Sequence, residues 1–105
     1  MTTSQISYPW SEISGWTSES YTRDGVEWTR YLGPGGTEIR IAASAHIGPG
    51  ATIGPDVTIG PGAELGDDSY IGLGVTVGLG VTIGPRVHIG GDATIGPGGT
   101  VRIVR

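Results

Sequence analysis

From Ile41 onward an aliphatic residue recurs at every sixth position: Ile41, Ile47, Ile53, Ile59, Leu65, Ile71, Val77, Ile83, Ile89, Ile95 and Val101. Two residues before each of them, from Ala45 to Gly99, stands a small or β-branched residue, as at Ala51, Val57, Ser69 and Val75. Gly follows nine of the eleven aliphatics, and the residue before each aliphatic is polar, usually Thr. Inward positions at i and i−2 obey the strand period of two. The Gly-Pro tracts between them supply the backbone freedom and the fixed φ that corners require. Six residues are too few for a helix pair and too rich in Gly for a helix, but they make one short strand and one turn. Three such units close a triangular coil, and coils stack at about 4.8 Å. The pattern predicts an all-β solenoid of a little under four coils, roughly 17–18 Å tall at that spacing.

Residues 1–40 follow a different pattern, and they are read as a separate segment from the repeat at 41–105. Six of the seven aromatics lie here: Tyr8, Trp10, Trp16, Tyr21, Trp28 and Tyr31. Val26–Leu32 alternates, Gly33–Gly36 reads as a turn, and Thr37–Ile41 alternates again into the first coil. These features predict a hairpin or broad strand pair, preceded by an irregular aromatic segment. A solenoid's terminal coil exposes strand edges and an open apolar core, so the aromatics are expected to form a lid. The alternatives are an aromatic platform for a glycan or a partner protein, for which Trp10, Trp16 and Trp28 are the candidates, and a trimer contact. At the other end the sequence closes on Thr100-Val-Arg-Ile-Val-Arg105 with no lid pattern, and Arg102 and Arg105 are expected to act as charged gatekeepers of that edge.

The run Ile47-Gly-Pro-Gly-Ala-Thr-Ile53-Gly-Pro-Asp-Val-Thr-Ile59-Gly-Pro-Gly-Ala-Glu64 resembles the hexapeptide-repeat family, and the resemblance covers residues 41–105. It implies a left-handed parallel β-helix and a homotrimer. The left hand comes from the resemblance alone, since the general crossover rule favours the right hand.

With three hexads per coil, residues 18 apart are vertical neighbours. His46 then stacks with Glu64, Thr82 and Thr100; Thr52 with Tyr70 and His88; and Thr58, Thr76 and Thr94 form a third outward column. Asp68 below Arg86 predicts an exposed ion pair. Leu73 and Leu79 replace Pro at two successive corners and are candidates for a subunit or ligand contact. The resemblance also implies an alternative, an acyltransferase with a histidine as general base toward a small hydroxyl or amine acceptor and CoA as acyl carrier. The candidates for that role are His46 oriented by Glu64 and, second, His88 beside Tyr70. Against it, the repeats carry no long inserted loop, and the chain has no lysine for CoA phosphates. The γ-class carbonic anhydrases share the fold and hold zinc with three histidines; this chain has two, with Glu64 as a conceivable third ligand across a trimer interface, and no metal site is assigned. A one-Thr-wide ladder is also too narrow for an ice-binding array.

Composition narrows the classes further. A chain of 105 residues is one domain's worth. The formal charge is −4, all six cations are Arg, and no basic stripe is present, which argues against nucleic acid as a partner. There is no Cys for a disulfide framework or a thiolate site. No apolar run reaches the roughly 18 residues of a membrane span, so a soluble protein is expected, cytoplasmic or virion-associated. These features favour a non-catalytic trimeric module that is a structural, assembly or ligand-presenting scaffold without a cofactor. The alternative is the acyltransferase.

Overall fold

The computed structural model describes residues 8–101. The chain enters through a two-residue strand, β1 (Tyr8–Pro9), and a single helical turn, α1 (Trp10–Ile13). Two seven-residue strands follow, β2 (Thr17–Arg23) and β3 (Val26–Leu32), and then β4 (Glu38–Ala42). β2 and β3 pair antiparallel through the two-residue turn Asp24-Gly25, with φ of 51° and 78°. Positive φ at both turn positions is what the twist of a tight hairpin requires, and Asp-Gly supplies it. β3 also pairs antiparallel with β4, which is the expected strand pair around Gly33–Gly36. The segment before Val26 differs from expectation, since β2 is a regular strand where an irregular stretch was predicted.

From β4 on, each hexad contributes one strand of a parallel β-helix, consistent with the left-handed form. The strands are β5 (His46–Ile47), β6 (Thr52–Ile53), β7 (Thr58–Ile59), β8 (Glu64–Leu65), β9 (Tyr70–Ile71), β10 (Thr76–Val77), β11 (Thr82–Ile83), β12 (His88–Ile89), β13 (Thr94–Ile95) and β14 (Thr100–Val101). They distribute over three sheets, ordered β1-β6-β9-β12, β2-β3-β4-β7-β10-β13 and β5-β8-β11-β14. Every parallel partner lies 18 residues away, as in Ile41↔Ile59, Ile47↔Leu65 and Ile53↔Ile71. Backbone ladders carry the stack, with His46 N–H donating to Ala63 C=O at 2.8 Å and Gly48 N–H to Leu65 C=O at 2.8 Å.

The interior holds the predicted aliphatics, with Ile53, Ile59, Ile71 and Val75 all fully buried. Ile13 of α1 and Ile39 of β4 join the same cluster, and Tyr8, Trp10, Trp16 and Tyr31 pack against it. The aromatic lid is thus built from β1, α1, the turn that follows α1, and β3. Ile47, Ile95 and Val101 pack on the cluster only partly buried.

Two corner positions are constrained differently. Gly66 is needed because coils approach closely there: a Cβ would stand 2.5 Å from the backbone of Gly84 and Pro85 in the next coil. The corner position two residues further on is left-handed, at Asp68 (φ 59°) and Arg86 (φ 59°). In that conformation the backbone N–H turns to the coil below, Asp68 N–H reaching Pro49 C=O at 3.0 Å and Arg86 N–H reaching Asp67 C=O at 2.9 Å. The expected Asp68–Arg86 ion pair does not form: both side chains are exposed, and the ion pairs among the described residues lie on the N-terminal strands instead. Backbone bonds tie this corner column together.

Candidate functional site

The two histidines stand on different faces of the prism. His46 is register partner to Glu64, and Glu64 to Thr82, which pairs with Thr100. His46 lies on β5, the outermost strand of its sheet among the described residues. Its imidazole and the Glu64 carboxylate are both exposed, and no hydrogen bond or ion pair joins them among the described residues. On another face Thr52 pairs with Tyr70 and Tyr70 with His88. The Tyr70 and His88 rings lie 5.4 Å apart, tilted by 31°. No group of three potential metal ligands occurs among the described residues.

The N-terminal aromatics divide into two sets. Trp10 and Trp16 belong to the lid: Trp10 meets Tyr31 edge-on at 5.5 Å, and Trp16 meets Tyr8 edge-on at 4.8 Å. Trp10 N–H donates to Ala51 C=O at 2.8 Å, which pins the lid to the first coil. Trp16 lies over Gly33, where a Cβ would come within 2.5 Å of its ring. Burial in the lid pushes the Tyr31 phenol above its usual pKa, because the apolar surroundings penalise the phenolate. Trp28 does not enter that core cluster. It is the cross-strand partner of Tyr21, on the side of the sheet that Arg40 and Thr58 share. These residues line a groove of about 280 Å³ with Arg23, Asp24 and Val26.

Charge gathers on the same sheet. Arg30 pairs with Glu19 and approaches Glu38 at 3.9 Å, while Arg40 Nε donates to Glu38 at 2.8 Å. The Glu19 carboxylate, hydrogen-bonded to Arg30, raises the guanidinium further above its already high pKa. At the corners Leu79 is 57% exposed and Leu73 half-buried. Arg102 and Arg105 lie outside the described residues. Inside the prism Ser69 is 1% exposed, and its hydroxyl has no hydrogen-bond partner among the described residues.

Residues 44–79 match the family model for the bacterial transferase hexapeptide of six repeats. The expected resemblance is therefore found, over the first two coils. His46, Glu64, Tyr70, Leu73 and Leu79 fall inside the matched stretch, whereas His88, the aromatics of the lid and, apart from Thr58, the lining of the Trp28 groove fall outside it. No curated protein matches the chain. No helix among the described residues is long and apolar enough to cross a membrane.

Tyr21 and Trp28 were both among the N-terminal aromatics of the sequence pattern, but their pairing was not, nor were Arg23 and Arg40 beside them. The signal for the pairing is Asp24-Gly25, since a hairpin turn there sets Tyr21 directly opposite Trp28.

Proposed function

We propose that the chain is a non-catalytic β-helix module that works as a trimer and serves as a rigid structural, assembly or partner-presenting scaffold. The observation that supports this best is the unbroken 18-residue register of its coils, from the Ile41↔Ile59 pair to the Ile83↔Val101 pair. Each hexad is used up by one strand and one corner, so no loop leaves a coil to wall a pocket. Small-molecule sites are concave and largely apolar, whereas His46 and His88 stand exposed on two-residue strands within polar columns. Flat, periodic faces suit contact with large partners. Exposed Leu79, half-buried Leu73 and the outermost strand β5 are the surfaces a trimer would cover.

The test is mass in solution together with ligand response. Size exclusion with light scattering should give three times the 10.7 kDa chain mass. A stable monomer defeats the trimeric scaffold. CoA, acetyl-CoA and zinc should leave the melting temperature unchanged, since a ligand at about 100 times its Kd would add about 2.7 kcal/mol.

A second reading, acyl transfer from an acyl-CoA, draws on the match to a family described by its transferases and on the register pairing of His46 with Glu64. In that reading His46 takes the proton of the acceptor hydroxyl or amine, with Glu64 one strand spacing away to orient the imidazole. A CoA-induced stabilisation that His46→Ala abolishes would replace the scaffold by the enzyme.

A further inference from the structure

Strand β2 has a neighbour on one side only. It is the outermost strand of the six-stranded sheet, at the end opposite β13, and every residue from Thr17 to Arg23 is exposed or half-buried. The other outermost strands among the described residues, β1, β5, β12, β13 and β14, are two residues long. Natural sheets blunt a long edge with lysine, proline or a bulge. β2 holds neither lysine nor proline, and its ladder to β3 runs residue against residue without a bulge.

The ladder fixes which backbone groups face outward. In an antiparallel pair, residues that exchange bonds with the neighbour alternate with residues whose N–H and C=O point away. Glu27 uses its carbonyl on the β4 side, accepting from Ala43 N–H at 2.9 Å, so the Thr22–Glu27 pair does not exchange bonds. The two-residue turn at Asp24-Gly25 gives the same phase, since it closes on a bonded Arg23–Val26 pair. By alternation Ser18, Ser20 and Thr22 direct N–H and C=O out of the sheet. The side chains of Glu19, Tyr21 and Arg23 share the face that carries Trp28.

An incoming strand must set its own outward groups against these, and a second β2 running antiparallel does so. Centring that pair on Glu19 or on Arg23 puts like charges opposite each other, which is unfavourable. Centring it on Ser20 or Thr22 puts Tyr21 opposite a charge. Centring it on Tyr21 puts Glu19 opposite the partner's Arg23 on both sides of the two-fold. Those are non-bonded positions, where the chains come closest at about 4.5 Å between Cα atoms, while Ser20 exchanges backbone bonds with the partner's Thr22. Both charges are available for the contact. Arg30 takes only Oε1 of Glu19, and Arg23 forms no ion pair among the described residues, Asp24 included. Pairwise opposition across the strands, not net charge, selects this register.

We propose that β2 is a self-pairing edge: two copies of the chain join antiparallel about Tyr21, and the six-stranded sheet continues from one copy into the next. The contact goes beyond the scaffold reading and applies to whichever unit carries the edge, single chain or trimer.

One short strand carries the contact, so it forms as concentration rises. Sedimentation equilibrium of the whole chain over a concentration series should show the mass of the unit doubling. Thr22→Pro removes an outward N–H that the β2–β3 ladder does not use, a position where an edge strand tolerates proline. It should keep the melting temperature and lose the doubling. Arg23→Glu sets Glu opposite Glu19 at both positions and should weaken association by about tenfold or more. The chain has no cysteine, so Tyr21→Cys should oxidise to a covalent dimer across the two-fold, whereas in Ser20→Cys the two thiols stand too far apart to bridge. A mass that stays constant over the series, full doubling in Thr22→Pro or Arg23→Glu, or a Ser20→Cys dimer as ready as that of Tyr21→Cys would each overturn the proposal. The variants report the mass of the unit by itself, so a value other than three chains counts against the trimer alone, and the ratio to the unsubstituted chain tests β2.

Discussion

The coils and the N-terminal strands solve the same problem by opposite means. In the coils each strand is two residues long and one of the two is usually buried, so stability is spread over many equivalent inward aliphatics. The strand β2 is seven residues long, and none of its residues is buried. It is held by its ladder to β3 and by the Glu19–Arg30 pair. Ahead of it, β1 and α1 are held by one fully buried side chain, Ile13, by a few aromatic contacts and by the short antiparallel pairing of β1 with β6. Stacked repeats exchange contacts only with their neighbours. The first coil would be open below without the lid, and β4 belongs to both regions. Redundancy in one region and single anchors in the other should still give one cooperative unit.

The largest effects test that unity. Ile59→Ala, in the middle of the stack between Ile41 and Val77, should cost about 2–5 kcal/mol. Ile13→Ala should cost a similar amount, although it lies outside the repeats. All three tryptophans are N-terminal, so their fluorescence reports the lid region while far-UV circular dichroism reports mainly the coils. Both probes should follow one urea transition in both variants. If Ile13→Ala separates the two curves, the lid unfolds as a unit of its own and the shared-core account is wrong.

A smaller effect separates two glycines of the same sequence pattern. At Gly66 an added methyl meets backbone atoms at 2.5 Å, whereas at Gly96 it meets nothing within 4 Å among the described residues. Gly66→Ala should therefore destabilise by about 1–3 kcal/mol, the usual cost of overpacking, and Gly96→Ala by well under 1 kcal/mol. Equal urea midpoints for the two would show that coil spacing does not select glycine at this corner.

The contrast also explains what could be read in advance. The coils were legible because one constraint recurs at each hexad, and each aliphatic from Ile41 to Val101 confirms the phase of the last. The vertical columns followed from the same arithmetic, including Thr52, Tyr70 and His88. Strand β2 was not legible from hydrophobic pattern, because Thr17–Arg23 holds one aromatic and no aliphatic; its only strong signal is the turn that follows. The roles of the tryptophans were likewise hidden. Trp16 lies over Gly33 and Trp28 faces Tyr21, and both neighbours are set by antiparallel pairing rather than by the 18-residue step. The groove needed the order β2-β3-β4-β7, which mixes antiparallel and parallel neighbours in one sheet. The Asp68–Arg86 pairing failed for a different reason. Vertical adjacency was right, but the Asp68 carboxylate lies against Gly50 in the coil below rather than toward Arg86.

The smallest expected effect isolates the lid by pH. Burial raises the Tyr31 phenol above its unfolded value of about 10, so the folded state holds that proton more tightly than the unfolded chain. Its contribution is fully present below the unfolded pKa and is lost as pH rises through the higher folded value. The urea midpoint should therefore decline above about pH 10, and Tyr31→Phe, which keeps the ring against Trp10 and has nothing to ionise, should decline less. At neutral pH the two proteins should differ by less than about 1 kcal/mol. A decline of equal slope in both would place the alkaline sensitivity at groups other than Tyr31.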